Sequence, residues 1–178
     1  MGTVVLYTSH YGATARYARE LAATLDMPCF ELGKEDSYVV KNAQRIIYGG
    51  GLYAGNVAGL ARAKRYFAGK EVYIFAVGIM QAGGPDICAH VEQQLQRCLG
   101  SGNAPAPGHL FCLNGAFCFA RLNIVHKSMV RMMRRMLLGK GDALTREERS
   151  LLDALDAPVD LVDITTLAPL IAACGAGK

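Results

Sequence analysis

Between positions 9 and 14 the chain reads Ser-His-Tyr-Gly-Ala-Thr, two hydroxyls and a glycine in the spacing S-x-x-G-x-T. The set suits an anion. Hydroxyls donate hydrogen bonds, a glycine lets the backbone come close, and a helix starting here offers free N–H groups and the positive end of its dipole to a phosphate. The side-chain donors, Ser9 and Thr14, are neutral, which fits one terminal phosphate. A nucleoside triphosphate fits poorly without GxxxxGK[ST], and a dinucleotide without GxGxxG. Taken alone, the same residues also read as a turn in which Ser9 and Thr14 cap a helix.

Other reactive side chains form no comparable group. Six cysteines (Cys29, Cys88, Cys98, Cys112, Cys118, Cys174) include no CxxC pair, and the four histidines (His10, His90, His109, His126) share no ligand spacing with them. Their apolar neighbours predict reduced thiols packed as small hydrophobes, without a disulfide framework or a metal. His10 has no carboxylate partner in view and reads as a solvent-edge loop residue rather than an acid or base.

The elements that must position Ser9–Thr14 alternate between strand and helix. Val4–Thr8 is fit for a buried strand, and Thr14–Leu25 for a helix with Ala18, Leu21, Ala22 and Leu25 on one face. A short strand follows over Cys29–Leu32, a third over Gln44–Gly51, and a weak helix over Asn56–Phe67. Glu71–Gly78 is apolar on both faces, as a central parallel strand should be, and Asp86–Leu99 reads as helix. After the linker "SGNAPAPG", His109–Gly115 is a fifth strand. This pattern predicts an α/β fold with a doubly wound five-stranded parallel sheet in the order 2-1-3-4-5. Ligands then sit beyond the carboxyl ends of strands 1, 3 and 4, where the loops are "TSHYGAT", "GGGLYAGN" and "GIMQAGG".

With 178 residues, 52% of them hydrophobic and 19% charged, the chain reads as a single domain with ample core. A formal charge of +4 is small, and no basic-aromatic interleaving points to nucleic acid. No run approaches the roughly 18 apolar residues of a membrane span, and no secretory pattern opens the chain, so the expected location is cytoplasmic.

Residues 116–158 interrupt this scheme as an inserted helical segment. Leu122–Leu138 reads as a helix with Leu122, Val125, Met129, Met132, Met133 and Met136 in one stripe, and Lys127, Arg131, Arg134 and Arg135 mostly opposite. Such a stripe is either core or, with cations beside it, a surface for an anionic membrane or an acidic partner. Thr145–Glu148 is a capping box opening a short helix, and a last helix from about Ile164 packs back on the sheet through Leu167, Leu170 and Ile171.

The runs "YTSHYGATARYARELA", "YGGGLYAGNVAG" and "VYIFAVGI", in this order, resemble the flavodoxin-like family. The resemblance implies noncovalently bound FMN, with Ser9, His10, Tyr11, Gly12, Ala13 and Thr14 as the phosphate loop. It implies that Gly51, Leu52, Tyr53, Ala54 and Gly55, with Gly78, Ile79, Met80 and Gln81, flank the isoalloxazine. Tyr11 and Ala13 stand where that family usually has threonine and asparagine. The run "LFCLNGAFCFARLNIVHKSMVRMMRRMLLGKGD" is similar to the menaquinone-dependent protoporphyrinogen oxidase branch. That implies an oxidoreductase drawing hydrogens from protoporphyrinogen IX through FMN to a quinone, with peripheral membrane contact through Leu122–Leu138. The alternatives are a flavodoxin-type carrier shuttling electrons between redox partner proteins, and a fold that has lost its flavin. No residue reads as catalytic, since in a flavin enzyme the ring carries the chemistry.

Overall fold

In the computed structural model, which describes residues 2–53, 55–79, 87–100, 105–106, 108–156 and 158–175, alternation along the strands builds a core on each face of one sheet. β1 (Thr3–Thr8) sends Val4 and Leu6 to one face and Val5 and Tyr7 to the other. β3 (Arg45–Tyr53) divides Ile46 and Tyr48 from Ile47, and β5 (Glu71–Gly78) divides Ile74 and Ala76 from Tyr73, Phe75 and Val77. Strands apolar on both sides need a helical layer on both. α2 (Ser37–Asn42), α3 (Leu60–Ala63) and α4 (Ile87–Leu99) cover the first face. α1 (Ala13–Leu25) and α7 (Ala168–Gly175) cover the second.

The sheet runs β2–β1–β3–β5–β6, with β2 at Cys29–Glu31 and β6 at Leu110–Asn114, and every pair along this path is parallel. Counted as parallel strands this is the expected 2-1-3-4-5. Val5 lies opposite Ile47 and Ile47 opposite Tyr73, so one row of the second core crosses three strands. Winding changes direction between β1 and β3, which opens a crevice at their carboxyl ends.

Two expectations are corrected and one helix is added. Residues 56–67 are not one helix: β4 (Asn56–Val57) pairs antiparallel with the end of β3, then α3 and a single 3₁₀ turn (Lys64–Tyr66) follow. Gly59 explains the break, because its φ of +75° is left-handed and a Cβ there would run into Thr8 Oγ1 and the Tyr48 hydroxyl. The short helix α2 had no counterpart in the sequence reading, although Asp36 caps it through the N–H groups of Tyr38 and Val39. Finally, Cys88 and Cys112 form a disulfide rather than two free thiols. The start of α4 lies over β6 and brings their Cα atoms to 6.1 Å, within bonding reach. Cys174 keeps the expected character, its thiol pushed by burial up to about 11.

After β6 the chain makes an excursion. β7 (Ala116–Phe117) leads through a 3₁₀ turn (Phe119–Arg121) to α5 (Ile124–Leu138), a second turn (Gly141–Ala143) and α6 (Arg146–Asp156). It returns by β8 (Val159–Asp160), antiparallel to β7. The capping box forms as expected: Glu148 N–H donates to Thr145 Oγ1 at 3.2 Å, and Thr145 N–H to Glu148 Oε2 at 3.1 Å. Asn123 caps α5 by accepting from His126 N–H at 2.8 Å.

The stripe of α5, open between core and surface in the sequence, is divided between the two. Val125 and Met136 face outward, 66% and 65% exposed, while Met129 and Met132 lie at the cavity's edge. The face turned to the body carries His126, Val130, Met133 and Leu137, one residue further along. Lys127 and Arg131 fold back over the Phe119 ring, at 6.0 and 5.6 Å from its centroid. No helix among the described residues is long and apolar enough to cross a membrane.

Candidate functional site

The carboxyl ends of β1, β3 and β5 and the inner face of the excursion enclose a cavity of about 430 Å³. From the first loop it is lined by Ser9, Tyr11, Ala13 and Thr14; from the end of β3 by Gly51, Leu52, Tyr53 and Gly55; from the end of β5 by Gly78 and Ile79. His10 and Gly12 belong to the same loop without lining the cavity. Ala54, Met80 and Gln81 lie outside the described residues.

Gly12 turns the first loop into α1. Its φ of +96° is left-handed, a Cβ there would meet nothing within 4 Å, and no side chain caps the helix. Instead Gly12 N–H donates to Ser9 Oγ at 3.1 Å, and the first helical bond runs from Arg16 N–H to Gly12 O at 3.0 Å. Thus the capping alternative holds only for Ser9 within the loop, and α1 begins on N–H groups without a side-chain cap. No Lys, Arg, Asp or Glu appears among the described lining residues, and the donors at this end are neutral.

The second loop is more ordered than its glycines implied. Leu52 pairs with Val57 and Tyr53 with Asn56 in a hairpin, and Gly51 O accepts from Ala58 N–H at 2.8 Å. Gly78 O likewise accepts from Gly115 N–H at 2.7 Å. Those two carbonyls serve the scaffold.

Rings gather where the first and second loops meet. Tyr53 lies 6.1 Å from Tyr11 and 5.4 Å from His10, centroid to centroid, in edge arrangements. His126 of α5 stacks on Tyr53 at 4.8 Å with 13° between planes, and its Nδ1 shares a hydrogen bond of 2.5 Å with Tyr11 Oη. Burial, with a lesser contribution from Tyr11, pushes the Tyr53 phenol well above its usual range, so it stays neutral. The opposite wall is apolar: Phe117, Leu122, Met129 and Met133 from β7 to α5, with Leu151 and Leu155 of α6.

Sequence reasoning missed this wall and His126. A histidine beginning the row 126, 130, 133, 137 was visible, as was the pair Leu151 and Leu155 on one helical face, but nothing local tied either to a loop more than a hundred residues earlier. No cluster of metal-ligating side chains occurs among the described residues.

An α/β sheet with its cofactor-type loops at the switch point defines the class. Residues 4–143 match the family model of the flavodoxin domain, and the chain belongs to that family. Similar solved structures include a mutant flavodoxin of Fusobacterium nucleatum bound to flavin mononucleotide, 17% identical over 60% of this chain and 68% of that one, with a TM-score of 0.46. Another is a flavoprotein of Lactobacillus acidophilus in complex with FMN, 16% identical over 64% and 90%, with a TM-score of 0.42. An NADPH-quinone reductase of P. pentosaceus is 15% identical over 72% and 92%, with a TM-score of 0.44. No curated protein matches the chain.

The residues present fit such a cofactor at both ends. The start of α1 and the Ser9 hydroxyl suit a phosphate, while Leu52, Tyr53 and Ile79 suit a flat aromatic system.

Proposed function

We propose that the protein binds one FMN with its phosphate at Ser9–Thr14 and its ring between the ends of β3 and β5. We further propose that it is an oxidoreductase of the protoporphyrinogen-oxidase type, passing electrons from an organic donor to a quinone or similar acceptor. The observation that carries this reading is the second wall of the cavity. A carrier that only exchanges electrons with proteins has no use for an apolar face of Phe117, Leu122, Met133 and Leu151 opposite its cofactor loops.

FMN supplies the electron-transfer chemistry when bound. The chain's own residues do the rest. N–H groups at the start of α1 and the Ser9 hydroxyl hold the phosphate, and Tyr53 presents an aromatic face with a neutral phenol. Met129, Met133 and Leu155 exclude water and give a flat, apolar reactant an adaptable surface. α5 carries Lys127, Arg131, Arg134 and Arg135, no acidic residue, and the exposed apolar side chains of Ile124, Val125 and Met136. This combination suits peripheral contact with an anionic membrane, where a quinone dissolves.

The test is anaerobic mixing of FMN-loaded protein with protoporphyrinogen and then with a menaquinone analogue, following flavin bleaching and recovery. Bleaching by the donor and recovery with the quinone is the expected result. Bound flavin that ignores both and exchanges electrons only with a reductase protein would favour the carrier, for which the basic face of α5 is a docking surface.

A further inference from the structure

α5 turns its less apolar face inward. Rows 125, 129, 132, 136 and 126, 130, 133, 137 differ by one residue, about 100° of helix rotation. The first is wholly apolar, yet Val125, Met132 and Met136 are each at least 64% exposed, and only Met129 and Met132 of it reach the cavity's edge. The second begins with a histidine. On burial alone the first row belongs inside, since apolar area removed from water is what stabilises a docked helix.

His126 is the feature that opposes it. Its Nδ1 lies 2.5 Å from Tyr11 Oη, and its ring is stacked on Tyr53 at 4.8 Å. The N–H of Asn123, the cap of α5, donates to the same Tyr11 Oη at 3.4 Å. Tyr11 precedes Gly12 in the first loop and Tyr53 ends β3. One side chain of the excursion is thereby fastened to both cofactor loops.

We propose that His126 is a positioning residue that couples the rotational setting of α5 to occupancy of the loop Ser9–Thr14. This rests on the reading of that loop as a phosphate site. An anion held at the start of α1 fixes the loop backbone and with it Tyr11 Oη. A fixed Tyr11 holds His126, and His126 keeps Val125 and Met136 outward and the cavity open. The coupling is reciprocal, so a seated α5 raises the affinity of the loop by the same factor. Without the clasp, α5 rolls to bury Val125 and Met136, withdrawing the outward apolar face.

Cysteine reporters read the setting directly. Met136→Cys reports the outward row and Met133→Cys the inward row, each in a Cys98→Ser background, labelled with a maleimide in native protein and quantified by peptide mass. With His126 present, position 136 reacts faster than 133, and FMN widens the ratio. In His126→Ala the two rates converge or invert, FMN no longer alters their ratio, and FMN affinity falls about fivefold or more. Tyr11→Phe lowers FMN affinity when His126 is present and has no further effect in His126→Ala. His126→Gln, which keeps a polar partner for Tyr11 but no ring for Tyr53, falls between. An unchanged labelling ratio in His126→Ala, or additive losses in the double variant, overturns the proposal. If the unaltered protein takes up no FMN, the phosphate reading fails instead, and the labelling ratio of ligand-free His126→Ala still decides whether the clasp exists.

Discussion

The sheet and the excursion spend their apolar residues in opposite ways. In β1, β3 and β5, Val4, Val5, Leu6, Ile46, Ile47, Ile74 and Phe75 are fully buried. In α5 only Leu137 is buried, while Ile124, Val125, Met132 and Met136 are between 64% and 83% exposed. Of the large hydrophobics exposed among the described residues, every one except Tyr38 lies on α5. Contiguous exposed apolar surface marks an encounter site more often than an accident. Stability resides in the sheet, and the excursion keeps its apolar surface for something else.

The largest effect that would sharpen this division is at the first loop, where Tyr11 meets His126 of the excursion. Gly12→Leu puts a side chain on a left-handed residue and into the space before α1, at about 1–2 kcal/mol of backbone strain. FMN retention, read by absorption after gel filtration, should vanish while circular dichroism stays near that of the unaltered chain. Full flavin content in the variant would remove the first loop from the site.

Core truncation tests the comparison itself. Phe75→Ala, at a ring packed under Gly49, should lower unfolding free energy by about 3–5 kcal/mol, whereas Met136→Ala should change it by no more than about 0.5 kcal/mol. Denaturant titrations giving equal losses would mean that α5 is core after all. Replacing Lys127, Arg131, Arg134 and Arg135 with glutamine should abolish salt-sensitive sedimentation with anionic vesicles, at about 1 kcal/mol per charge. The flavin spectrum should be unaltered. If the parent protein ignores such vesicles at low salt, the outward face of α5 serves a protein partner instead.

Smaller changes sharpen the scaffold side. Thr14→Val should weaken FMN by about 1.5–3 kcal/mol if its hydroxyl meets the phosphate, measured by flavin fluorescence quenching. Glu35 resists burial's upward push because its own backbone, Tyr66, Gly33 and Arg65 hydrogen-bond its carboxylate, which lowers its pKa to about 2. A depressed carboxylate contributes stability above its ordinary pKa and loses it as the pH falls toward 2. Stability scans should therefore slope down between about pH 5 and 2, and Glu35→Gln should flatten part of that slope.

Strand order, the two cores and the crevice could be read from period-two alternation and from strands too apolar to face water. What escaped the sequence shares one cause, dependence on partners distant along the chain. The helix expected over 56–67 fails at Gly59, whose lack of a Cβ matters only because Thr8 and Tyr48 stand there. Cys88 and Cys112, 24 residues apart, meet because α4 lies over β6. The stripe expected over Leu122–Leu138 is split, with Leu122 and Met133 turned to the cavity and Val125 and Met136 away from it, and the setting of α5 depends on a tyrosine 115 positions before His126. Hydropathy chooses between faces only when one is clearly richer, and here two adjacent rows compete.

The pairing of β7 with β8 has a consequence for how such a protein changes over time. Ala116 lies opposite Asp160 and Phe117 opposite Val159, while Arg16 bonds Asp160 at 2.7 Å and Leu161 N–H reaches Gly115 O at 3.1 Å. The chain leaves the sheet and rejoins it at one spot, held there by contacts that do not involve α5 or α6. Lengthening, shortening or exchanging what lies between leaves these neck contacts in place, and the loop-closure entropy it adds grows only logarithmically with length. Recombination at that neck can therefore set a different wall against the same crevice without asking the sheet to fold anew.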